Sequence, residues 1–237
     1  MFESKAGVFL VAGLGFFGLS FVVMALIPIL IYHGEPELTV EELAHKGIIP
    51  DFVDLAEKFP DRFKKYYGKV GYDSYAEALQ LGHDSYVAEA CWHCHSQFIR
   101  PVSNEDIRWG PRSYATEYQN ALQRPVLFGT RRVGPDLIRE AGRKSNDWHL
   151  AHFYKPTSVV PSSVMPEYRW FYDEDGYPNK TGMAVITYVQ WLGSWRKEYP
   201  YWHGEGPGQP QQPTAEEDQV AQAGPPHSTA ASRGGAR

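Results

Sequence analysis

Only two cysteines occur in 237 residues, and both lie within Cys91-Trp92-His93-Cys94-His95. Without a second pair the chain has no disulfide framework, and it lacks the four ligands that close a structural zinc tetrahedron. A bridge between cysteines this close would be strained and would staple almost nothing. A basic surplus is missing too. The net charge of −5 argues against nucleic acid and leaves a mildly acidic protein that can receive a basic partner. No period-two alternation is long enough to build a sheet. An all-α fold is therefore expected, and a thioredoxin-like redox pair has no βαβ context. Methionine is scarce, at four residues, which shortens the search for a sulfur ligand.

What is present starts with those cysteines. C-x-x-C-H is the attachment signature of a c-type haem. Two thiols one helical turn apart can both reach the vinyl carbons on one porphyrin edge. The next residue, His95, then falls under the iron and can offer it an imidazole nitrogen. One motif implies one covalent haem c, and a chain with 14% aromatics can line a flat apolar cofactor. The opposite axial position calls for Met or His. Met1 is the initiator and Met24 lies in a hydrophobic run, which leaves Met165 and Met183. Met165 sits in the proline-bounded loop Val160-Pro161-Ser162-Ser163-Val164-Met165-Pro166, whereas Met183 opens an amphipathic helix where a core role is more natural. His95 and Met165 are the expected axial pair.

The rival histidines are His149 and His152, three apart on an expected helix. No acidic or thiol partner completes a metal site there, so hydrogen-bonded or interface roles are expected. His93 is expected to point away from the iron, and His227 to be idle. Gly134-Pro135-Asp136-Leu137 reads either as an ordinary turn or as the segment that passes beside the proximal histidine in His/Met cytochromes. In the second reading the Pro135 carbonyl accepts a hydrogen bond from the free imidazole nitrogen. Arg100, Arg131 and Arg132 are candidate partners for the haem propionates, with Arg100 nearest the motif in sequence.

The hydrophobic mass sits at one end. Val8 to Tyr32 is a run of 25 residues without a charge, about 37 Å as a helix against a hydrocarbon core of roughly 30 Å. No A-x-A-like cleavage site follows it, so an uncleaved anchor is expected rather than a signal peptide. Lys5 before it favours a cytoplasmic N-terminus. Bacterial c-type attachment occurs outside the cytoplasm, so the haem domain is expected to face the periplasm from a single-pass anchor in the inner membrane. Ala6, Gly13 and Ser20 recur every seven residues, a small face suited to docking on a larger membrane subunit.

The expected organisation is a cytoplasmic N-terminus at 1–7, the anchor at 8–32, a connector at 33–73, a cytochrome c domain at 74–203 and a disordered Gly/Pro/Gln-rich tail at 204–237. Within the connector, steps of three and four among Val40, Leu43, Ala44, Phe52, Leu55, Ala56 and Phe59 predict short helices broken at Pro50 and Pro60. The stretch Pro60 to Tyr72 reads as a solvated spacer or subunit contact. In the haem domain a helix is predicted from Ser74 to Cys91 and a last one from Gly182 to Trp195. Gly82 and Tyr86 resemble the pair that, in His/Met c-type cytochromes, sits where the first helix crosses the last.

Taken together, Cys91 to Pro101, Arg132 to Leu137, Gly142 to Ser145, Trp148 to His152 and Val160 to Tyr168 resemble the mono-haem subunit II of cbb3-type cytochrome c oxidases. The resemblance covers roughly residues 80–195 and the single anchor. It implies a His/Met class I-like domain, Cys91 and Cys94 as thioether attachments, and His95 with Met165 as axial ligands. It also implies a place beside a catalytic haem–copper subunit and other oxidase subunits in the bilayer. The connector is longer than that family implies, and the Gly/Pro/Gln-rich tail is unusual for it. The function implied is single-electron transfer, without oxygen chemistry in this chain, from a soluble or membrane cytochrome c donor to the catalytic subunit. A free-standing anchored carrier, a subunit of another respiratory complex and a ligand-sensing haem are the competing readings.

Overall fold

The computed structural model describes residues 5–129 and 131–196, so the expected tail at 204–237, with His227, lies outside the described residues. The chain opens with α1 (Lys5–Phe21), a π-turn at Val22–Leu26 and α2 (Ile27–Gly34). The turn has a local cause. Pro28 has no N–H to continue the ladder, and just before it the Ile27 N–H reaches back five residues to the Val22 carbonyl. The resulting rod, Lys5–Gly34, is 30 residues long, about 45 Å at helical rise and ample for a tilted span. None of its residues is buried. It is the one helix among the described residues long and apolar enough to cross a membrane, and it anchors the chain there.

Three short helices follow, each started by its own sequence. In α3 (Val40–His45) the Thr39 side chain accepts from the Glu42 N–H at 3.2 Å, and the Glu42 carboxylate accepts from the Thr39 N–H at 2.8 Å. This reciprocal box satisfies two donors left free at the helix start. α4 (Pro50–Lys58) and α5 (Pro60–Tyr67) each place proline at the first turn, where its missing N–H costs nothing. The prolines thus start the helices as well as separate them.

The segment expected as a connector carries part of the core. Phe52, Leu55, Phe63 and Tyr67 are buried, and the Phe52 ring lies 5.1 Å from both Phe63 and Tyr75. Aromatic side chains spaced by charged ones let one face of each helix pack while the other stays wet. The stretch from Pro60 to Tyr72 therefore folds against the cytochrome domain, where the sequence suggested a solvated spacer.

α6 (Tyr72–Ala88) and α10 (Lys180–Trp191) form the centre of the domain, three residues shorter and four residues shorter at their C-terminal ends than the periodicity predicts. Ala90, at φ 55°, stops the first of them before the cysteines. At the crossing, a Cβ built on Gly82 would lie 2.2 Å from the Ala184 carbonyl oxygen and 2.6 Å from the Tyr188 Cβ. Only glycine allows that approach. Tyr86 and Tyr188 pack beside it with ring centroids 5.5 Å apart. α9 (Asn146–Tyr154), capped by Ser145, is pinned to α4 through Asn146, which donates to the Asp51 carbonyl at 2.8 Å and the Asp54 carboxylate at 2.7 Å. Two more short helices, α7 (Cys91–Cys94) and α8 (Glu105–Trp109), complete an all-α domain with no strand among the described residues.

Because the crossing tolerates no side chain, Gly82→Val should destabilise the holoprotein by about 1–3 kcal/mol or more. The check is the denaturant midpoint of the full chain in detergent. An unchanged midpoint would mean that the helices do not cross this closely.

Candidate functional site

The left-handed turn at Ala90 redirects the chain into α7, which brings Cys91, Cys94 and His95 onto one short turn. Both thiols are free, with Cys91 half-buried and Cys94 exposed. Burial pushes the Cys91 thiol up to about 11, with the neighbouring Tyr168 acting the other way. The backbone of the motif is held from below by the loops that follow. The Gly134 N–H donates to the Cys94 carbonyl at 3.2 Å, Leu137 to Ser96 at 3.0 Å, and Gln97 to Leu127 at 2.8 Å. Tyr86, from α6, donates its hydroxyl to the His95 carbonyl. Trp92 stacks on His93, whose side chain is on the exposed side of the turn.

His95 Nδ1 lies 2.9 Å from the Pro135 carbonyl oxygen. A carbonyl can only accept, so Nδ1 carries the proton and Nε2 keeps its lone pair. Burial lowers the His95 pKa, with the Pro135 carbonyl acting the other way, and the ring stays neutral near pH 7. Gly134 presses on the same ring: a Cβ there would sit 2.2 Å from Cε1 and 2.7 Å from both ring nitrogens. The imidazole is held on one side by a hydrogen bond and on another by a bare backbone.

The loop bearing Met165 approaches from the far side of the sequence. Met165 is partly buried against the core, and its N–H donates to Ser163 Oγ at 3.2 Å. Three residues on, the Tyr168 N–H donates to the Phe153 carbonyl at 2.9 Å. Since the Tyr168 side chain neighbours Cys91, that loop is bonded to α9 and reaches the cysteine turn. Met183 is 1% exposed inside α10, surrounded by core side chains.

The remaining expected residues are sorted by their partners. Arg132 is buried between Glu105, at 2.6 Å, and Asp136, at 3.1 Å, which leaves it no free fork for another carboxylate. Its expected propionate role is thereby displaced. Arg131 is exposed. Arg100 lies over the Phe128 ring at 4.3 Å, with Nε 3.6 Å from Glu105, and remains partly accessible. His149 and His152 do share α9, and of the two expected roles, hydrogen-bonded or interface, one nitrogen of each does not take the first. His149 Nε2 and His152 Nδ1 are buried without a hydrogen-bond partner. Burial pulls His152 down to about 4, and the nearby His95 pulls in the same direction. Burial likewise pulls His149 down to about 3 and pushes Glu140, whose carboxylate is 4.0 Å away, up to about 7.

Sequence reasoning passed over Gly134, Asp136, Glu105 and the Cys91 contact of Tyr168 as site residues. Only Gly134 carried a signal, because a glycine before the proline allows backbone to meet a ring. Two free thiols, a neutral imidazole with Nδ1 committed and a thioether on a tethered loop make a soft donor set of the kind that holds a haem. A flat group attached at the cysteines fits these residues.

Two comparisons bear on that fit. A family model described as cytochrome c oxidase, mono-heme subunit/FixO, matches residues 52–203. No curated protein matches the chain.

The buried pair Glu140 and His149 generates a pH signature. Glu140 titrates near 7 when folded against an ordinary 4.5, so its contribution is full below 4.5 and is lost as pH rises through 7. His149 titrates near 3 against an ordinary 6.5, so its contribution is full above 6.5 and is lost as pH falls towards 3. Glu140→Gln should flatten the decline in stability between about pH 4.5 and 7, the window set by its ordinary and folded values, while leaving the acid side unchanged. Denaturant midpoints across that range check it.

Proposed function

The chain belongs to the mono-haem FixO subunit family of cytochrome c oxidases, and from that premise we propose how it carries electrons and where. It is a membrane-anchored c-type cytochrome of a cbb3-type oxidase. Cys91 and Cys94 would form the thioether links to one haem c, and His95 Nε2 and the Met165 sulfur would hold its iron. When bound, the haem iron supplies a one-electron couple, and methionine opposite histidine keeps its potential comparatively high. The chain's own residues do the rest. The Pro135 carbonyl, 2.9 Å from Nδ1, fixes the ring and makes it a better donor. Arg100 is the partner for a propionate, since its guanidinium stays partly accessible.

The observation that carries this reading is the clamped neutral His95 beside the two cysteines of the chain. The Met165 role is supported by its loop reaching the cysteine turn through Tyr168, and by Met183 being enclosed in the core.

The domain faces the periplasm, takes electrons from a soluble or membrane cytochrome c, and passes them to the catalytic haem–copper subunit. A fixed station fits the anchor better than a swinging carrier. α2 ends at Gly34, and Leu38 is already bonded to the domain through the Gln119 carbonyl at 3.0 Å and the Ala121 N–H at 2.9 Å. So few free residues span little more than about 10 Å. The face bearing Ala6, Gly13 and Ser20 is the docking surface for a partner helix.

Met165→Ala should abolish the near-infrared sulfur-to-iron band and open the iron to carbon monoxide, while Met183→Ala leaves both as they are. The reverse result would move the ligand to Met183, and no change in either would favour histidine. For the function itself, the complex is solubilised gently and its oxygen consumption compared with that of the isolated chain. The complex should respire and contain this chain, whereas the reduced chain alone should consume no oxygen. Oxygen reduction by the isolated chain would overturn the transfer-only role.

A further inference from the structure

Arg132 and Asp136 stand four residues apart in sequence, yet they lie on an irregular loop and not on a helix. Their side chains close that loop on itself. Arg132 Nε and Nη2 donate to Asp136 Oδ2 at 3.2 and 3.1 Å, with Gly134 and Pro135 inside the ring so formed. The same two side chains hold the backbone that runs out of the cysteine turn. Asp136 Oδ2 accepts from the Phe98 N–H at 3.0 Å, and Arg132 Nη2 donates to the Phe98 carbonyl. Glu105 completes the cluster: its Oε1 accepts from Arg132 at 2.6 Å and its Oε2 from the Arg100 N–H at 2.8 Å. Side-chain exposure is 7% for Arg132, 6% for Glu105 and 0% for Asp136.

A buried ion cluster is a poor source of net stability, because desolvation offsets the attraction between the charges. It is well suited to fixing geometry. Two backbone bonds join the loop to the motif, from Gly134 to Cys94 and from Leu137 to Ser96. Between them lies the Pro135–Asp136 peptide, whose carbonyl meets His95 Nδ1. The carboxylate next to it in sequence anchors the peptide there, since Asp136 Oδ1 also accepts from the Ile138 N–H at 3.0 Å.

We propose that Glu105, Arg132 and Asp136 are positioning residues that hold the Pro135 carbonyl on His95 Nδ1 and thereby set the donor strength of the axial imidazole. The proposal rests on His95 being the ligand, as argued above. A stronger Nδ1–H bond gives the ring more anionic character and favours oxidised iron. Loosening the clamp therefore raises the midpoint potential.

Charge alone gives a different sign, which separates the two causes. Arg132→Lys keeps the charge and loses the fork, so a purely electrostatic role leaves the potential where it was, whereas positioning raises it. Arg132→Met removes a positive charge, so electrostatics lowers the potential, whereas positioning again raises it. The second readout is the His95 Nδ1 proton by NMR in the full-length reduced holoprotein. Both variants should move its resonance and speed its exchange about tenfold, the scale of losing one hydrogen bond. Should Arg132→Met not fold, Arg132→Lys decides the matter alone. An unchanged potential and proton in Arg132→Lys overturn the proposal. A wild-type Nδ1 proton without the large shift of a haem ligand instead overturns the assignment of His95.

Discussion

The bond between His95 Nδ1 and the Pro135 carbonyl, at 2.9 Å, is the constraint on which the site depends. It commits one ring nitrogen as a donor and leaves the other as the nucleophilic one, so the direction of the free lone pair follows from the position of a single backbone oxygen. Everything nearby serves that position. Gly134 lets the loop come within contact of the ring, and Tyr86 ties the motif back to α6 from the other side. A histidine free to turn would give the iron a variable ligand field, and hence no single potential.

The helical core transmits that order outward. α6 and α10 cross without space for a Cβ at Gly82, which fixes the end of α6 and with it the turn that carries the cysteines. α4, α5 and α9 close the domain on its other side through Phe52, Phe63 and Asn146. Since the chain leaves α2 at Gly34 and is bonded to the domain by Leu38, this order begins almost at the membrane. On the proposed function, so short a reach would favour transfer between fixed partners.

Much of this was legible in the residues. Gly82 and Tyr86 marked the crossing because they resemble the pair found there in His/Met cytochromes. That Cys91, Cys94 and His95 share one turn was legible from their spacing. The membership in the mono-haem subunit family and the all-α fold followed from the same segments. The packing of residues 60–67 was not legible, since Phe63 and Tyr67 stand among charges that suggest a solvated stretch. Nor was the burial of Arg132 and Asp136. A charged pair in a loop looks like surface until the chain beyond Cys94 is folded over it. The unpartnered nitrogens of His149 and His152 were hidden for a similar reason, as a histidine's hydrogen bonds depend on loops far away in sequence.

The central claim is that this chain holds one haem through Cys91 and Cys94, and the most direct measurement is the intact mass of the purified full-length protein after acid–acetone extraction. One haem retained on the polypeptide, and lost to the solvent when both cysteines are replaced by serine, is the result expected. Pigment that leaves the unmodified chain on extraction, or a bare mass with zinc bound near one per chain, would contradict it.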